Sequence, residues 1–253
     1  MLEFRNISAA FDDKRVLENV TFSLRPHRLT VLLGRNGSGK STLLRCLNQE
    51  IPYTGQITEG EKDLAFLPPK ERARTVAVLP QTMPAPHITA EELIGMGRSP
   101  YLDLTGRFSA KDREMIGRAI ADANAQQLCH RFVDTLSGGE RQRVNLAMIL
   151  AQNTPIALLD EPTAHMDQSY EAAFLRQLRY INRQRKKTFL VILHDLTLAA
   201  EYADDLVILE DGKVCFAGTK ESCLKAGVIE RIFDVKCYRF TENGEEKIFF
   251  SAK

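Results

Sequence analysis

The strand-like run Leu29-Thr30-Val31-Leu32-Leu33 leads directly into Gly34-Arg35-Asn36-Gly37-Ser38-Gly39-Lys40, and the residues from Ser41 onward (STLLRCLNQE) have helical spacing. No other stretch limits the fold so strongly. A strand this rich in branched apolar residues is covered on both faces, as in a parallel sheet flanked by helices. The loop fits G-x-x-x-x-G-K-[ST] in its required setting, between a strand and a helix. Its glycines let the backbone wrap closely, so that N–H groups converge on an anion at the positive end of the following helix. In such a loop Lys40 reaches the β- and γ-phosphates of a nucleotide and the Ser41 hydroxyl ligates Mg²⁺. Chance supplies this pattern only about 0.01 times in a chain of this length.

The rest of the chain alternates in the same style. Leu2–Ile7 and Val20–Leu24 read as half-buried strands, with a turn at Pro26-His27-Arg28. Thr75–Leu79 is a second buried strand, ending at Pro80-Gln81. From Met83 to about Thr135 the pattern becomes helix and loop. Thr89 with Glu92 forms a capping box, and Ser109 opens a helix with Met115, Ile116, Ala119, Ile120 and Ala123 on one face. The α/β pattern then resumes with a buried helix over Glu140–Gln152, a strand Ile156–Leu159, a helix Gln168–Arg183 and a strand Thr188–Leu193. Strand Leu206–Leu209 and a hairpin turning at Asn243-Gly244 close the chain. The basic run Arg183, Arg185, Lys186, Lys187 is expected to face solvent at a helix C-terminus.

Charge and cysteine content exclude several classes. Lys+Arg is 34 and Asp+Glu 33, a net charge of +1, which gives no cationic surface for nucleic acid. No apolar run approaches the roughly 20 residues of a membrane span, and Glu3 and Arg5 occupy the place of a signal peptide's apolar core. The five cysteines are scattered and form no CxxC pair, so reduced thiols in a reducing compartment are expected, with no protein-only metal site.

Two further segments carry chemistry. Ile156-Ala157-Leu158-Leu159-Asp160-Glu161 is a buried strand ending in carboxylates. Asp160 is placed to hold Mg²⁺, and Glu161 to orient or deprotonate an attacking water. Leu136-Ser137-Gly138-Gly139-Glu140 is an N-cap and two glycines ahead of a buried helix, again an anion-binding helix start. Spacing alone does not explain what this second loop is for.

Together these segments resemble the nucleotide-binding subunits of ABC transporters over nearly the whole chain. GRNGSGKST resembles their Walker A, LSGGERQR their signature loop, and LLDEPT their Walker B with its catalytic glutamate. The resemblance implies an α/β P-loop NTPase of the ABC ATPase type, one domain over 1–253. It has a β-rich N-terminal subdomain, a helical insertion over about 83–135 and a C-terminal extension over about 213–253. It further implies that Gly34, Asn36, Gly37, Ser38, Gly39, Lys40, Ser41 and Thr42 bind ATP. Ser41, Gln81 and Asp160 would hold Mg²⁺, and Glu161, His194, Gln81 and Lys40 would act in hydrolysis. By the same resemblance Phe11 stacks on adenine, Asp167 belongs to the D-loop, and Ser137, Gly138 and Gly139 contact nucleotide.

Two departures stand out. Pro26-His27-Arg28 replaces the usual glycine turn before the P-loop strand, and Ala164-His165-Met166-Asp167 replaces a D-loop close to SALD.

Gly97-Arg98-Ser99-Pro100, Gly106-Arg107-Phe108-Ser109 and Asp112-Arg113-Glu114 resemble the importers of iron–siderophore complexes, haem and vitamin B12, and HRFVDTLSGGERQR leans toward the ferric siderophore branch. The implied partners are a second copy in an ATP-sandwich dimer, membrane permease subunits and, indirectly, an extracytoplasmic substrate-binding protein, with no nucleic acid. The implied place is the cytoplasmic face of the inner or plasma membrane. A permease helix is expected against the Gln81 loop and Pro84–Arg107, with Arg98 and Tyr101 at the contact. The rival readings are a haem or vitamin B12 importer subunit, an exporter subunit, a soluble ABC ATPase of ribosomes or DNA, and a non-hydrolysing scaffold.

Overall fold

Alternating burial along the first residues builds β1 (Leu2–Phe11) and β2 (Lys14–Leu24), an antiparallel pair in which Phe4 and Phe22 face each other with ring centroids 4.5 Å apart. The structure, a computed structural model, describes the chain except residues 12, 13, 104, 165, 243 and 244; the side chains of residues 11, 168, 242, 245 and 246 also lie outside the description. After the turn at Pro26-His27 comes β3 (Leu29–Gly34), buried at every position, followed by the P-loop and α1 (Lys40–Leu47). Strand β4 (Thr54–Glu59) then pairs with β1, and the two-residue β5 (Lys62–Asp63) with β4. His27 has φ +61, the left-handed conformation that glycine adopts without steric cost. The departure from glycine in this turn therefore keeps the turn's backbone shape.

Residues 67–187 form a separate compact unit. It opens with α2 (Pro69–Thr75), which the sequence pattern did not suggest, and whose proline sits at the start of the helix where no N–H is needed. Thr75 ends that helix, so the expected Thr75–Leu79 strand is β6 (Val76–Leu79). Helices α3 (Ala90–Met96), α4 (Ala110–Asp122) and α5 (Gly138–Ala151) pack on one another, and each starts with a complete capping box: Thr89 with Glu92, Ser109 with Asp112, Ser137 with Glu140. Strand β7 (Ile156–Asp160), parallel to β6, and α6 (Gln168–Arg185) complete the unit, which thus contains the expected helical stretch 83–135 and extends beyond it.

The chain then returns to the first unit, which comprises residues 1–66 and 188–253. Strand β8 (Thr188–Ile192) and, after α7 (Leu196–Tyr202), β9 (Asp205–Glu210) flank β3 on its two sides, both parallel to it. Strand β10 (Lys213–Thr219) adds antiparallel to β9. Two short helices, α8 (Lys220–Lys225) and α9 (Val228–Phe233), lead to the antiparallel pair β11 (Val235–Glu242) and β12 (Glu245–Ala252). The expected turn residues Asn243 and Gly244 lie outside the described residues.

Two basic residues differ from expectation. Lys187 is buried: its ammonium donates to the Thr154 carbonyl, and burial pushes its pKa down to about 8. Of that basic run, Arg183, Arg185 and Lys186 are exposed. Arg98 is 2% exposed and cannot present a docking surface. Its guanidinium donates to Asp112 at 2.9 Å and to the Ala151 carbonyl at 2.8 Å, and it lies 3.9 Å from the Tyr101 ring centroid. Arg98 thus joins the end of α3 to the start of α4 and the end of α5. Its neighbour Gly97 is forced by close approach, since an added Cβ would run into the Met148 carbonyl oxygen of α5. Arg98→Ala leaves the Asp112 carboxylate without its buried counter-charge and is expected to cost about 3–5 kcal/mol in urea unfolding. A loss in the roughly 0–1 kcal/mol range of exposed pairs would show that the guanidinium reaches solvent.

Candidate functional site

In the first unit the site starts where β3 ends. Gly34 must be glycine because an added Cβ would lie 2.6 Å from the Leu209 carbonyl on neighbouring β9. Gly39 carries φ +102 and faces Leu17, whose Cδ2 would be 2.6 Å from a Cβ. The loop therefore bends tightly around Gly39 and delivers α1 with no side-chain cap on its N-terminus. Those first-turn N–H groups suit an anionic acceptor. Lys40 is 5% exposed, and its ammonium spans the loop to the carbonyls of Gly34 at 2.8 Å and Arg35 at 3.2 Å. The Ser38 hydroxyl is buried and meets no hydrogen-bond partner among the described residues. A phosphate held in the loop would supply one. Asn36 and Gly37 are exposed, and Ser41 and Thr42 half-buried. His194 lies exposed just beyond β8, beside Asp195, which caps α7 by accepting from the Leu198 N–H at 2.8 Å. Phe11 ends β1, and its side chain lies outside the description.

In the second unit the parallel pairing of β6 and β7 brings a second group of candidate residues together. Leu79 stands opposite Leu159, so Gln81 and Glu161 each lie two residues past the same rung. They meet: the Gln81 side-chain amide donates to the Glu161 carboxylate at 2.7 Å. Asp160 ends the wholly buried β7 and is itself 6% exposed. Glu161 turns the chain with φ +46, a left-handed backbone that costs a non-glycine residue roughly 1–2 kcal/mol. Beyond it, the Thr163 hydroxyl donates to Glu171 at 2.8 Å, which ties the post-strand turn to the first turn of α6. Carboxylate, amide oxygen and hydroxyl are the hard oxygen donors that Mg²⁺ prefers, and Asp160, Gln81 and Ser41 carry one each.

The Ser137 loop is held just as firmly. Glu140 accepts from the Ser137 N–H at 2.9 Å and its hydroxyl at 2.8 Å, and pairs with Arg131. These bonds, the Ser137 N–H first, hold the Glu140 carboxyl down at about 2. The adjoining Asp167 caps α6 by accepting the Tyr170 N–H at 2.9 Å, and the Ser169 hydroxyl holds its carboxyl below the usual range. Sequence reasoning missed Tyr170, whose hydroxyl donates to the Gly139 carbonyl across 31 residues of sequence. No periodicity marks such a contact.

The sequence of residues 17–164 matches the family model described as ABC transporter. The chain belongs to the ABC transporter family. It is an ATP-binding cassette and an ATPase, with the α/β P-loop fold of that family. The ferric enterobactin transport ATP-binding protein FepC of Escherichia coli K12 is 37% identical over 238 residues, 93% of this chain and 88% of that protein. The hemin import ATP-binding protein HmuV of Pseudomonas entomophila L48 is 38% identical over 242 residues, 93% of each chain. Among solved structures, an inward-facing ABC transporter of the metal-chelate type shares the fold with a TM-score of 0.84 at 21% identity, over 99% of this chain and 96% of that one.

The cassette's Glu140 predicts an acid response. Its folded-state pKa lies below its ordinary 4.5, so its contribution is complete above that value and disappears as pH falls toward about 2. Glu140→Gln is expected to flatten the decline in thermal stability across this window relative to the parent chain. Parallel curves for the two proteins would show that Ser137 and Arg131 do not hold the carboxylate.

Proposed function

We propose that this chain is the ATP-hydrolysing subunit of an importer of iron complexes, most closely a ferric siderophore importer. The supporting observation is the identity of 35–37% over more than nine-tenths of the chain to ATP-binding proteins named for achromobactin and ferric enterobactin transport. A haem importer is the second reading, favoured by the 38% identity to the hemin import protein. The chain handles ATP and never the cargo.

In this reading each unit contributes residues with separate tasks. Gly34–Thr42 surround the phosphates with backbone N–H groups, and the Lys40 ammonium exchanges its carbonyl partners for β- and γ-phosphate oxygens. Phe11 stacks on the adenine. Ser41, Asp160 and Gln81 hold Mg²⁺, which when bound neutralises charge on the β- and γ-phosphates. Glu161 orients the attacking water and accepts its proton, and His194 contacts the γ-phosphate. The Gln81 amide nitrogen donates to Glu161, and its amide oxygen would hold Mg²⁺, so one side chain would join the metal to the base. That links occupancy to chemistry.

Ser137, Gly138 and Gly139, with Asp167, act on the nucleotide of a second copy across a two-fold axis, which makes the interface self-complementary and closed at two subunits. A cassette of the same fold, MJ0796, has a dimeric structure bound to ADP and Pi, with a TM-score of 0.75. The dimer works at the cytoplasmic face of the membrane, held by permease subunits that receive cargo from an extracytoplasmic binding protein. No helix among the described residues is long and apolar enough to cross the membrane itself. With Arg98 buried, the permease contact falls to exposed residues of the Gln81 loop and to the half-buried Tyr101.

Glu161→Gln is expected to lower turnover about 10²–10⁴-fold while ATP still binds. Lys40→Ala is expected to weaken ATP binding itself. Turnover and nucleotide affinity of both variants decide the assignment, and near-normal turnover in Glu161→Gln would overturn it. In the Glu161→Gln background, light scattering is expected to find dimer with Mg-ATP and monomer with ADP. Adding Ser137→Arg is expected to leave monomer ATP affinity intact and abolish the dimer.

A further inference from the structure

Two of the residues that the sandwich reading sends to the partner's nucleotide, Ser137 and Asp167, start different helices 30 residues apart. One side chain joins them. We infer that Tyr170 is a positioning residue that holds the Ser137–Gly139 loop and Asp167 as a single piece. This inference rests on the sandwich reading and adds a component to it.

The connection runs through hydrogen bonds on both sides of Tyr170. Its backbone N–H donates to the Asp167 carboxylate at 2.9 Å, which fixes Tyr170 in the first turn of α6. Its hydroxyl donates to the Gly139 carbonyl. The N–H of that same peptide group belongs to Glu140 and donates to the Ser137 hydroxyl at 3.4 Å, while the Ser137 hydroxyl donates to the Glu140 carboxylate at 2.8 Å. A donor on the carbonyl side of a peptide strengthens the donor on its nitrogen side. The chain of contacts therefore runs from Asp167 through Tyr170 and one peptide group to the Ser137 hydroxyl.

Packing adds to the bonds. A Cβ on Gly139 would lie 2.6 Å from the Tyr170 Cε2 and 2.7 Å from its Cζ, so the ring lies directly on the glycine backbone. The second glycine of the loop is thus required by the ring as well as by any phosphate. The hydroxyl is also a dependable donor: burial pushes its pKa above the ordinary tyrosine value, although Arg143 beside it pulls the other way. Arg143 and Tyr170 also line a groove together with Asp122, Phe174, Gln177 and Tyr180. Without the hydroxyl bond, the ring's position over the loop depends on packing alone.

Tyr170→Phe keeps the ring over Gly139 and removes only the hydroxyl. In protein carrying Glu161→Gln, sedimentation with Mg-ATP is expected to show the dimer dissociation constant raised on the order of tenfold, the cost of re-ordering a loosened loop in each copy on association. Melting temperature is expected to fall by no more than a few degrees, as for one lost intramolecular hydrogen bond, and monomer ATP affinity to stay unchanged. With Glu161 intact, turnover at low protein concentration is expected to fall and to recover as protein concentration rises. Gly139→Ala drives a Cβ into the ring, and its dimerisation defect is expected to be relieved in part by adding Tyr170→Ala. Additive defects would show that glycine and ring do not act through each other, and would overturn the inference. An unchanged dimer constant for Tyr170→Phe, or a loss of monomer ATP affinity as large as the dimer loss, would do the same. If Glu161→Gln alone forms no ATP-dependent dimer, the sandwich reading fails and takes this inference with it. If that dimer forms and Tyr170→Phe matches it, only the role of Tyr170 is lost.

Discussion

Parallel strand pairing is the constraint on which the rest of the structure depends. Parallel neighbours end together, so the loops that follow them leave from one edge of the sheet. In the first unit β3 stops at Gly34 opposite Leu209 of β9, with β8 on its other side. This register sends the P-loop off the carboxyl end of a strand enclosed on both sides. In the second unit the same rule, applied to β6 and β7, places Gln81 and Glu161 two residues beyond a shared rung and within one hydrogen bond of each other. A slip of one residue in either pairing would turn the side chains to the opposite face and separate these groups. The apolar strand interiors, β3 and β7 buried throughout, therefore fix the geometry of residues that contribute little to the core themselves.

Helix starts carry the other half of the design, and they are treated in two ways. Helix α1 begins at Gly39 without a side-chain cap, which leaves its donors to an external anion. Helix α5 begins with a complete capping box, its charge already partly answered by Glu140, which Arg131 in turn balances. The two loops thus differ in what a phosphate would find. The first offers backbone donors and a lysine ammonium, and the second an exposed serine held in place by its own carboxylate. A site made of such parts suits primary binding at the P-loop and weaker, reversible contact at Ser137.

Much of this was legible from residue order. Strand runs, the glycine loop, the carboxylates after β7 and the Thr89 and Ser109 helix starts are local patterns, and local patterns survive in sequence. Arg98, Lys187 and Tyr170 were not legible, for a common physical reason. A charged residue reads as exposed unless its partners are known, and those of Arg98 (Asp112 and the Ala151 carbonyl) come from other helices. Lys187 finds the Thr154 carbonyl 33 residues away, and Tyr170 finds Gly139 31 residues away. The departure at His27 was visible as an anomaly, and only its φ of +61 shows that the backbone shape is retained.

Glu161 shows how the fold can hold a carboxylate at a strained turn without burying it. It is half-buried, and its left-handed backbone has a conformational cost that no glycine relieves. Such a conformation persists only when its surroundings dictate it. Before it stands β7, buried at all five positions and paired with β6. After it, the Ala164 N–H donates back to the Glu161 carbonyl at 3.1 Å, and Thr163 is tied to Glu171 of α6. The turn is therefore fastened on both sides of the strained residue, while its carboxylate projects to meet Gln81. Replacing Glu161 by glutamine leaves that backbone arrangement undisturbed, because neither fastening uses its side chain, so the substitution isolates chemistry from folding.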